Sequence, residues 1–155
     1  MKIFLGCDHA GFELKEQVKN WLKGLGYEVY DEGAFSYNET DDYPDFISIV
    51  ARQVASNPED HRGLVFGGSG QGEAITANRY PGVRATVYYG GPEEIVLLSR
   101  THNNSNLLSI GARFVEHQPI KNLIKLWLET EFPPEPRHLR RIKKIDQLVK
   151  DEVTF

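Results

Sequence analysis

Apolar positions along the chain follow two alternating spacings, and together these predict a parallel α/β fold. Short apolar runs typical of buried strands occur at residues 2–6, 27–30, 63–66, 84–89 and 107–110. Between these runs, apolar residues recur three and four positions apart, as in helices that bury one face. Strands that alternate with helices in this way pair in parallel through right-handed crossovers. We therefore expect a three-layer α/β/α sandwich with a five-stranded parallel, Rossmann-like sheet.

Six helices are predicted, and several of them begin at a proline, which the first helical turn accepts. Their predicted starts lie near Phe12, Pro44, Glu73, Pro92, Pro119 and Arg137. In the fourth helix we expect Ile95, Val96 and Leu98 to face the sheet. The last helix, 137–150, follows a stiff proline-rich spacer at 133–136. That separation favours a helix that reaches a neighbouring subunit.

Length and composition narrow the class of protein. A chain of 155 residues with 40% hydrophobic and 26% charged residues suits a single domain, 1–155. The net charge of −4 argues against a general nucleic-acid binder. The one cysteine, Cys7, rules out an internal disulfide, and neither a signal peptide nor a membrane-spanning run is predicted. We expect a cytoplasmic protein in which Cys7 is a small buried residue.

A glycine-rich loop between the third strand and the third helix is the main candidate site. Four glycines fall within six residues, at Gly67, Gly68, Gly70 and Gly72. Such a loop lets backbone N–H groups converge on an anion. Glu73 then places a carboxylate where a negative charge is expected to bind, which suggests proton abstraction beside a carbonyl. The alternative is an ordinary carboxylate at a helix start; only a buried Glu73 would be an effective base.

Other polar residues lie where further strands end. Asp8 and His9 follow the first strand, and Arg113 follows the fifth. Ligands of parallel sheets bind beyond the carboxyl ends of the strands, so these residues and the glycine loop should open onto one crevice. Arg137 and Arg141 are four positions apart, which puts them on one helical face where they could clamp a phosphate; a solvated basic face is the alternative.

Two further features have ordinary explanations. His102 lies near the end of a helix, where a histidine often only complements the helix dipole. The acidic segment 39–42 matches no metal-ligand spacing. We interpret it as a solvated loop that leads to a helix start.

The motifs taken together resemble one family, the type B ribose-5-phosphate isomerases, which also includes galactose-6-phosphate and allose-6-phosphate isomerases. The resemblance is carried by Gly6-Cys7-Asp8-His9-Ala10-Gly11, by 67–73 with Ala77-Asn78, by His102-Asn103-Asn104, by Gly111-Ala112-Arg113, and by Arg137-His138 with Arg140-Arg141. It implies a five-stranded α/β/α fold and no metal or cofactor. It also implies a homodimer, sometimes a tetramer, whose sites borrow residues from the partner chain.

The resemblance also implies individual roles. Glu73 takes the place of the general base; the family's other branch uses a cysteine where this chain has Gly67. Asp8 and His102 would open the sugar ring, and Ser69 would lie near the reacting oxygens. The implied sugar and oxyanion contacts are Asn103, Gly68, Ser69, Gly70, Gln71 and Gly72. The implied phosphate contacts are His9 and Arg113, with Arg137, His138 and Arg141 from the other subunit.

We therefore predict an aldose–ketose isomerase that interconverts D-ribose 5-phosphate and D-ribulose 5-phosphate through a cis-enediolate. The segment 89–94 looks longer than its counterpart in the glutamate branch, which leaves the size of the sugar open. Allose 6-phosphate and galactose 6-phosphate are the alternative substrates. A non-catalytic sugar-phosphate or nucleotide binding module is the alternative from another class. A phospho-receiver domain is disfavoured, because the third strand ends in glycines where that chemistry needs an aspartate.

Overall fold

The computed structural model describes residues 1–151, with side chains through 148, and confirms the predicted architecture. Its five strands are all parallel and stand in the order β2-β1-β3-β5-β4. The elements in chain order are β1 (Lys2–Cys7), α1 (Phe12–Gly24), β2 (Glu28–Asp31), α2 (Tyr43–Ser56), β3 (His61–Gly67), α3 (Gln71–Ala77), β4 (Ala85–Tyr88), α4 (Glu94–Asn103), β5 (Leu107–Gly111), α5 (His117–Glu129) and α6 (Pro136–Asp151). Residues 152–155 of the predicted domain lie outside the described part.

Helices cover both faces of the sheet. On β3, Leu64 and Phe66 join a core under α1, α4 and α5, whereas Val65 joins a second core under α2 and α3. Successive side chains of a strand point to opposite faces, so a strand covered on both sides must be apolar at nearly every position. That requirement explains why the central strands appear in the sequence as nearly uninterrupted apolar runs.

The strand order determines where a crevice opens. From β1 the chain turns to β2 on one side and then returns to β3 on the other side. The connections that leave β1 and β3 therefore diverge, and a crevice forms between the carboxyl ends of these two strands. Because β5 lies next to β3, the segment after β5 borders the same crevice.

The opposite edge of the sheet, β4, is flanked by apolar side chains that the described part of the chain leaves uncovered. The prediction for α4 was correct for Val96, which is 2% exposed, but wrong for Ile95 and Leu98, which are 54% and 38% exposed. The reason is that β4 is the last strand, so α4 has sheet under only one side. Ile95 and Leu98 line a groove along Thr86 and Val87 of β4.

Helix α6 packs against α4 and keeps a second apolar side exposed. Ile142 and His138 are buried, whereas Leu139, Ile145 and Leu148 remain exposed. Ile145 lines a further groove beside β4, together with Ala85 and Thr86. We call the residues around this edge, namely Ile75, Val87, Ile95, Leu98 and Ile145, the β4 face. No helix within residues 1–151 has both the length and the hydropathy needed to cross a membrane.

Candidate active site

The predicted crevice exists as a cleft of about 350 Å³ at the carboxyl ends of β1, β3 and β5. The segments that follow these three strands were predicted to open onto one crevice, and the structure brings residues of all three together. The residues that line the cleft are Asp8, Tyr43, Gly68, Ser69, Gly72, Glu73, Arg113 and Phe114.

The glycine loop is held against the segment that follows β5. Gly67 and Gly68 accept backbone hydrogen bonds from Ala112 (2.8 Å) and Arg113 (3.2 Å), which continue the ladder between the two strands. A Cβ atom on Gly68 would lie 3.3 Å from Nη1 of Arg113, so the missing side chain lets the guanidinium approach the backbone. The loop and Arg113 therefore form one continuous wall of the cleft.

Gly70 and Ser69 complete the loop. Gly70 has a φ of +78°, which a residue with a side chain rarely adopts. Its carbonyl accepts a 2.6 Å hydrogen bond from the buried hydroxyl of Ser109. The Ser69 hydroxyl is exposed to the cleft and accepts a weak 3.3 Å bond from the Gln71 N–H. It remains available to a ligand.

Glu73 is buried, which is the condition that would make it an effective base. Its side chain lies in the first turn of α3 and the residue is only 4% exposed. Burial raises the pKa of this carboxyl above its ordinary value, and the nearby negative charge of Asp8 raises it further. A carboxylate in this state accepts a proton more readily than a solvated one.

Asp8 is fixed at the start of the first crossover. Its Oδ1 accepts a 3.1 Å hydrogen bond from the N–H of Gly11, and the residue is 8% exposed. Its neighbour Cys7 is fully buried, and burial raises the pKa of the thiol to about 12. The prediction that Cys7 is a buried structural residue is confirmed.

The acidic loop before α2 was wrongly interpreted as solvated throughout. The side chain of Asp41 is only 6% exposed, and its Oδ1 accepts hydrogen bonds from His9 Nδ1 (2.7 Å) and from the His9 backbone N–H (3.0 Å). Asp42, the next residue, is exposed as expected. The charge run in the sequence does not distinguish the two, because the contact spans 32 positions.

Ligating atoms of Asp8, His9 and Asp41 lie within 4.8 Å of one another. Two carboxylates and an imidazole are ligands that a divalent cation can use. The closest two of these atoms are already joined by the 2.7 Å hydrogen bond between His9 and Asp41. Only Asp8 of this group lines the cleft, and a requirement for a metal ion at these three residues is tested in the Discussion.

Two aromatic residues of the cleft were also missed. A Cβ atom on Gly72 would lie 2.6 Å from Cζ of Tyr43, so the ring lies directly on the glycine loop. Phe114 is 63% exposed at the rim and packs edge-on against Tyr89, with ring centroids 6.4 Å apart. Nothing in the local sequence marks either residue as part of a site.

His102 and Asn103 lie at the other end of the sheet. They end α4, which leads into β5, whereas Arg113 and the glycine loop lie beyond the carboxyl end of β5. A strand of five residues spans roughly 15 Å at about 3.3 Å per residue. Within one chain, His102 therefore does not join the cleft that holds Glu73.

His102 instead forms a cluster with α6. Its ring stacks on that of His138, with centroids 4.4 Å apart and an angle of 14° between the planes. His138 is 2% exposed; burial lowers its pKa, and the positive charges of Arg137 and Arg141 act in the same direction. Arg137 Nε donates a long 3.4 Å bond to His138 Nε2. His102 therefore lies next to His138, one of the three residues that the resemblance assigns to the partner chain.

Comparison with known proteins identifies the family. The model of the Ribose/Galactose Isomerase family matches residues 3–145. Ribose-5-phosphate isomerase B of Mycolicibacterium paratuberculosis is 42% identical over 142 residues, which are 92% of this chain and 87% of the relative. Its counterpart in Escherichia coli is 38% identical over 144 residues, 93% of each chain.

Solved structures agree with the fold. Ribose-5-phosphate isomerase B of Mycoplasma genitalium, crystallised with bound ribulose-5-phosphate, superimposes with a TM-score of 0.91 at 34% identity and 97% coverage of both chains. The enzyme of Clostridium thermocellum gives a TM-score of 0.90 at 41% identity, covering 98% of this chain and 99% of the other. Because the family model spans residues 3–145 and the Mycolicibacterium and Escherichia relatives are 38–42% identical over more than nine tenths of the sequence, this chain belongs to the Ribose/Galactose Isomerase family.

Proposed function

We propose that this protein interconverts D-ribose 5-phosphate and D-ribulose 5-phosphate, with Glu73 as the base. The observation that carries the proposal is the buried carboxylate of Glu73 in a cleft walled by the glycine loop. Relatives that share about two fifths of the sequence are named ribose-5-phosphate isomerase B, which supports the choice of substrate.

The reaction is a proton transfer between neighbouring carbons. Asp8 and the partner subunit's His102 open the furanose. Glu73 removes the proton from C2, and the electron pair forms the C1–C2 double bond while negative charge moves onto O1. Backbone N–H groups of residues 68–72 and the Ser69 hydroxyl stabilise that charge. Glu73 then returns its proton to C1, the hydroxyl proton of O2 moves to O1, and the carbonyl is left on C2.

We infer that the working site is shared between two copies of the chain. Glu73 and His102 lie at opposite ends of the sheet, so a site that uses both needs a second subunit. The β4 face supplies a surface for that subunit, because its apolar side chains come from α3, β4, α4 and α6 and are uncovered within the described chain. A two-fold axis through such a face pairs it with itself and completes two sites at once. Pairing of two such dimers into a tetramer stays a prediction.

The phosphate of the substrate is assigned to the cationic residues of both chains. In one chain, Arg113 lies against the glycine loop, and His9 directly follows Asp8, which lines the same cleft. Arg137 and Arg141 of the partner subunit, both exposed in this structure, complete the clamp. Held in this way, the phosphate supplies binding energy that orients C1 and C2 against Glu73. A phosphate contact by His138 stays a prediction, as does a cytoplasmic location.

The proposal is tested by comparing substrates. Purified protein is assayed with ribose 5-phosphate, allose 6-phosphate and galactose 6-phosphate under the same conditions, in water and in deuterium oxide. We expect the highest kcat/KM with ribose 5-phosphate and deuterium at the exchanging carbon. A higher kcat/KM with a hexose phosphate would change the assigned substrate but leave the proton-transfer mechanism in place. Binding without deuterium exchange would leave only a sugar-phosphate binding module.

A further inference from the structure

Asp41 and His9 form a partly buried contact to which the proposed mechanism gives no role. Both hydrogen bonds from His9 converge on the same oxygen, Oδ1 of Asp41, one from the ring and one from the backbone. The second oxygen, Oδ2, is buried and has no hydrogen-bond partner among residues 1–151. An aspartate kept only for stability would be expected to satisfy both oxygens, since a buried polar atom without a partner is unfavourable.

The contact determines how the His9 ring is used. An ionised carboxylate can only accept hydrogen bonds, so the proton must lie on Nδ1 of His9. The other ring nitrogen, Nε2, makes no hydrogen bond within residues 1–151, and the side chain is 25% exposed. Nε2 is therefore the atom of this ring that is left to meet a ligand.

The orientation of the ring is held from a second side as well. Tyr37 packs perpendicular to the ring of His9, with centroids 6.3 Å apart. Between the edge contact of Tyr37 and the carboxylate of Asp41, rotation of the imidazole is restricted. A group held in one orientation before the ligand arrives loses less entropy on binding.

We propose that Asp41 is a positioning residue for phosphate recognition: it fixes the ring and tautomer of His9 so that Nε2 faces the phosphate of the substrate. The inference rests on the proposed function, because it takes His9 as a phosphate ligand. It predicts that Asp41 affects binding of the phosphate group through His9 and leaves proton transfer by Glu73 largely unchanged.

The test is a double-mutant cycle. KM, kcat and the inhibition constant of inorganic phosphate are measured for wild type, Asp41→Ala, His9→Ala and the double variant. Asp41→Ala should raise KM and the phosphate inhibition constant roughly tenfold, the size of one well-oriented hydrogen bond to a charged group, with kcat within about twofold. The double variant should be no weaker than His9→Ala alone, because Asp41 acts through His9.

Two further variants serve as controls. Asp42→Ala removes the adjacent exposed carboxylate, which makes no side-chain capping bond, and should behave as wild type. Asp41→Asn keeps an acceptor for His9, so its KM should rise less than that of Asp41→Ala. If Asp41→Ala fails to fold, the KM of Asp41→Asn tests the role of Asp41 in its place.

The possible failures are distinguishable. Unchanged KM in both Asp41 variants, or additive losses in the cycle, would overturn the role of Asp41 while leaving the isomerase proposal intact. Unchanged KM in His9→Ala would overturn His9 as a phosphate ligand and the inference with it.

Discussion

The carboxylate of Glu73 occupies the space that a Cβ atom on Gly67 would need. Such an atom would lie 2.6 Å from Oε2 of Glu73 and would collide with Oε1 and Cδ. Position 67 is also where the resemblance places the cysteine base of the family's other branch. The geometry explains why one chain does not use both: a side chain at 67 and a buried carboxylate at 73 compete for the same volume.

Gly67→Ala should therefore inactivate the protein without unfolding it. The added methyl group displaces the carboxylate, and loss of a positioned base lowers kcat by ~10²–10⁴-fold. Gly24→Ala is the matched control, because a Cβ atom there meets nothing within 4 Å. Turnover is compared at saturating ribose 5-phosphate, and circular dichroism reports the fold. Near-normal turnover in Gly67→Ala would show that Glu73 does not need its observed position.

Glu73→Gln should separate chemistry from binding. The amide keeps the volume of the side chain but accepts no proton, so kcat should fall by ~10²–10⁴-fold. Inhibition by inorganic phosphate should stay close to wild type, because the phosphate contacts come from other residues. The value of kcat and the inhibition constant of phosphate are both obtained from steady-state kinetics. A variant that retains most of its turnover would contradict the assignment of Glu73 as base.

The buried carboxyl should also make stability depend on pH in a defined direction. The pKa of Glu73 is raised in the fold, so between its ordinary value of 4.5 and its folded value the native state holds more protons. The free energy of unfolding that Glu73 contributes therefore falls as the pH rises from 4.5 through the folded pKa. Glu73→Gln cannot ionise, so its free energy of unfolding should exceed that of wild type at pH 7. The difference should shrink as pH falls toward 4.5.

Urea unfolding of both proteins at several pH values measures this difference. A Glu73→Gln variant that is less stable than wild type at pH 7 would mean that the ionised carboxylate is stabilised in the fold. For the same reason, the acid limb of kcat/KM should lie above pH 4.5.

Removal of divalent cations should leave activity unchanged. The assigned proton transfer uses a carboxylate, a hydroxyl and backbone amides, and His9 and Asp41 are hydrogen-bonded to each other. Protein dialysed against EDTA is assayed with and without added Mg²⁺, Mn²⁺ or Zn²⁺. Activity that is lost on dialysis and restored by one of these ions would place a cation among Asp8, His9 and Asp41.

The hydrophobic pattern predicted the fold because central parallel strands and one-sided helices leave strong periodic signals. It also placed Asp8, Glu73 and Arg113 together, since topology alone brings the carboxyl ends of β1, β3 and β5 to one edge. Spacing shows that a helix has an apolar face but not whether its own chain covers that face. The exposure of Ile95 and Leu98 on α4 therefore could not be predicted from their positions.

Contacts between distant segments were the other part that the sequence did not reveal. Asp41 reaches His9 across 32 positions, and Tyr43 lies on Gly72 across the cleft. The position of His102 differs from these, because a helix that precedes a parallel strand must end at the amino end of that strand. The same topological rule that predicted the cleft also separates His102 from it.

The central claim is that Glu73 of one chain works with His102 of the partner subunit. We would co-express Glu73→Gln and His102→Ala chains with two different affinity tags and purify the mixed dimer. One of its two sites combines the intact Glu73 with the intact His102, so the account predicts about half of the wild-type turnover per dimer. Activity no higher than the mean of the two inactive parent dimers would contradict it.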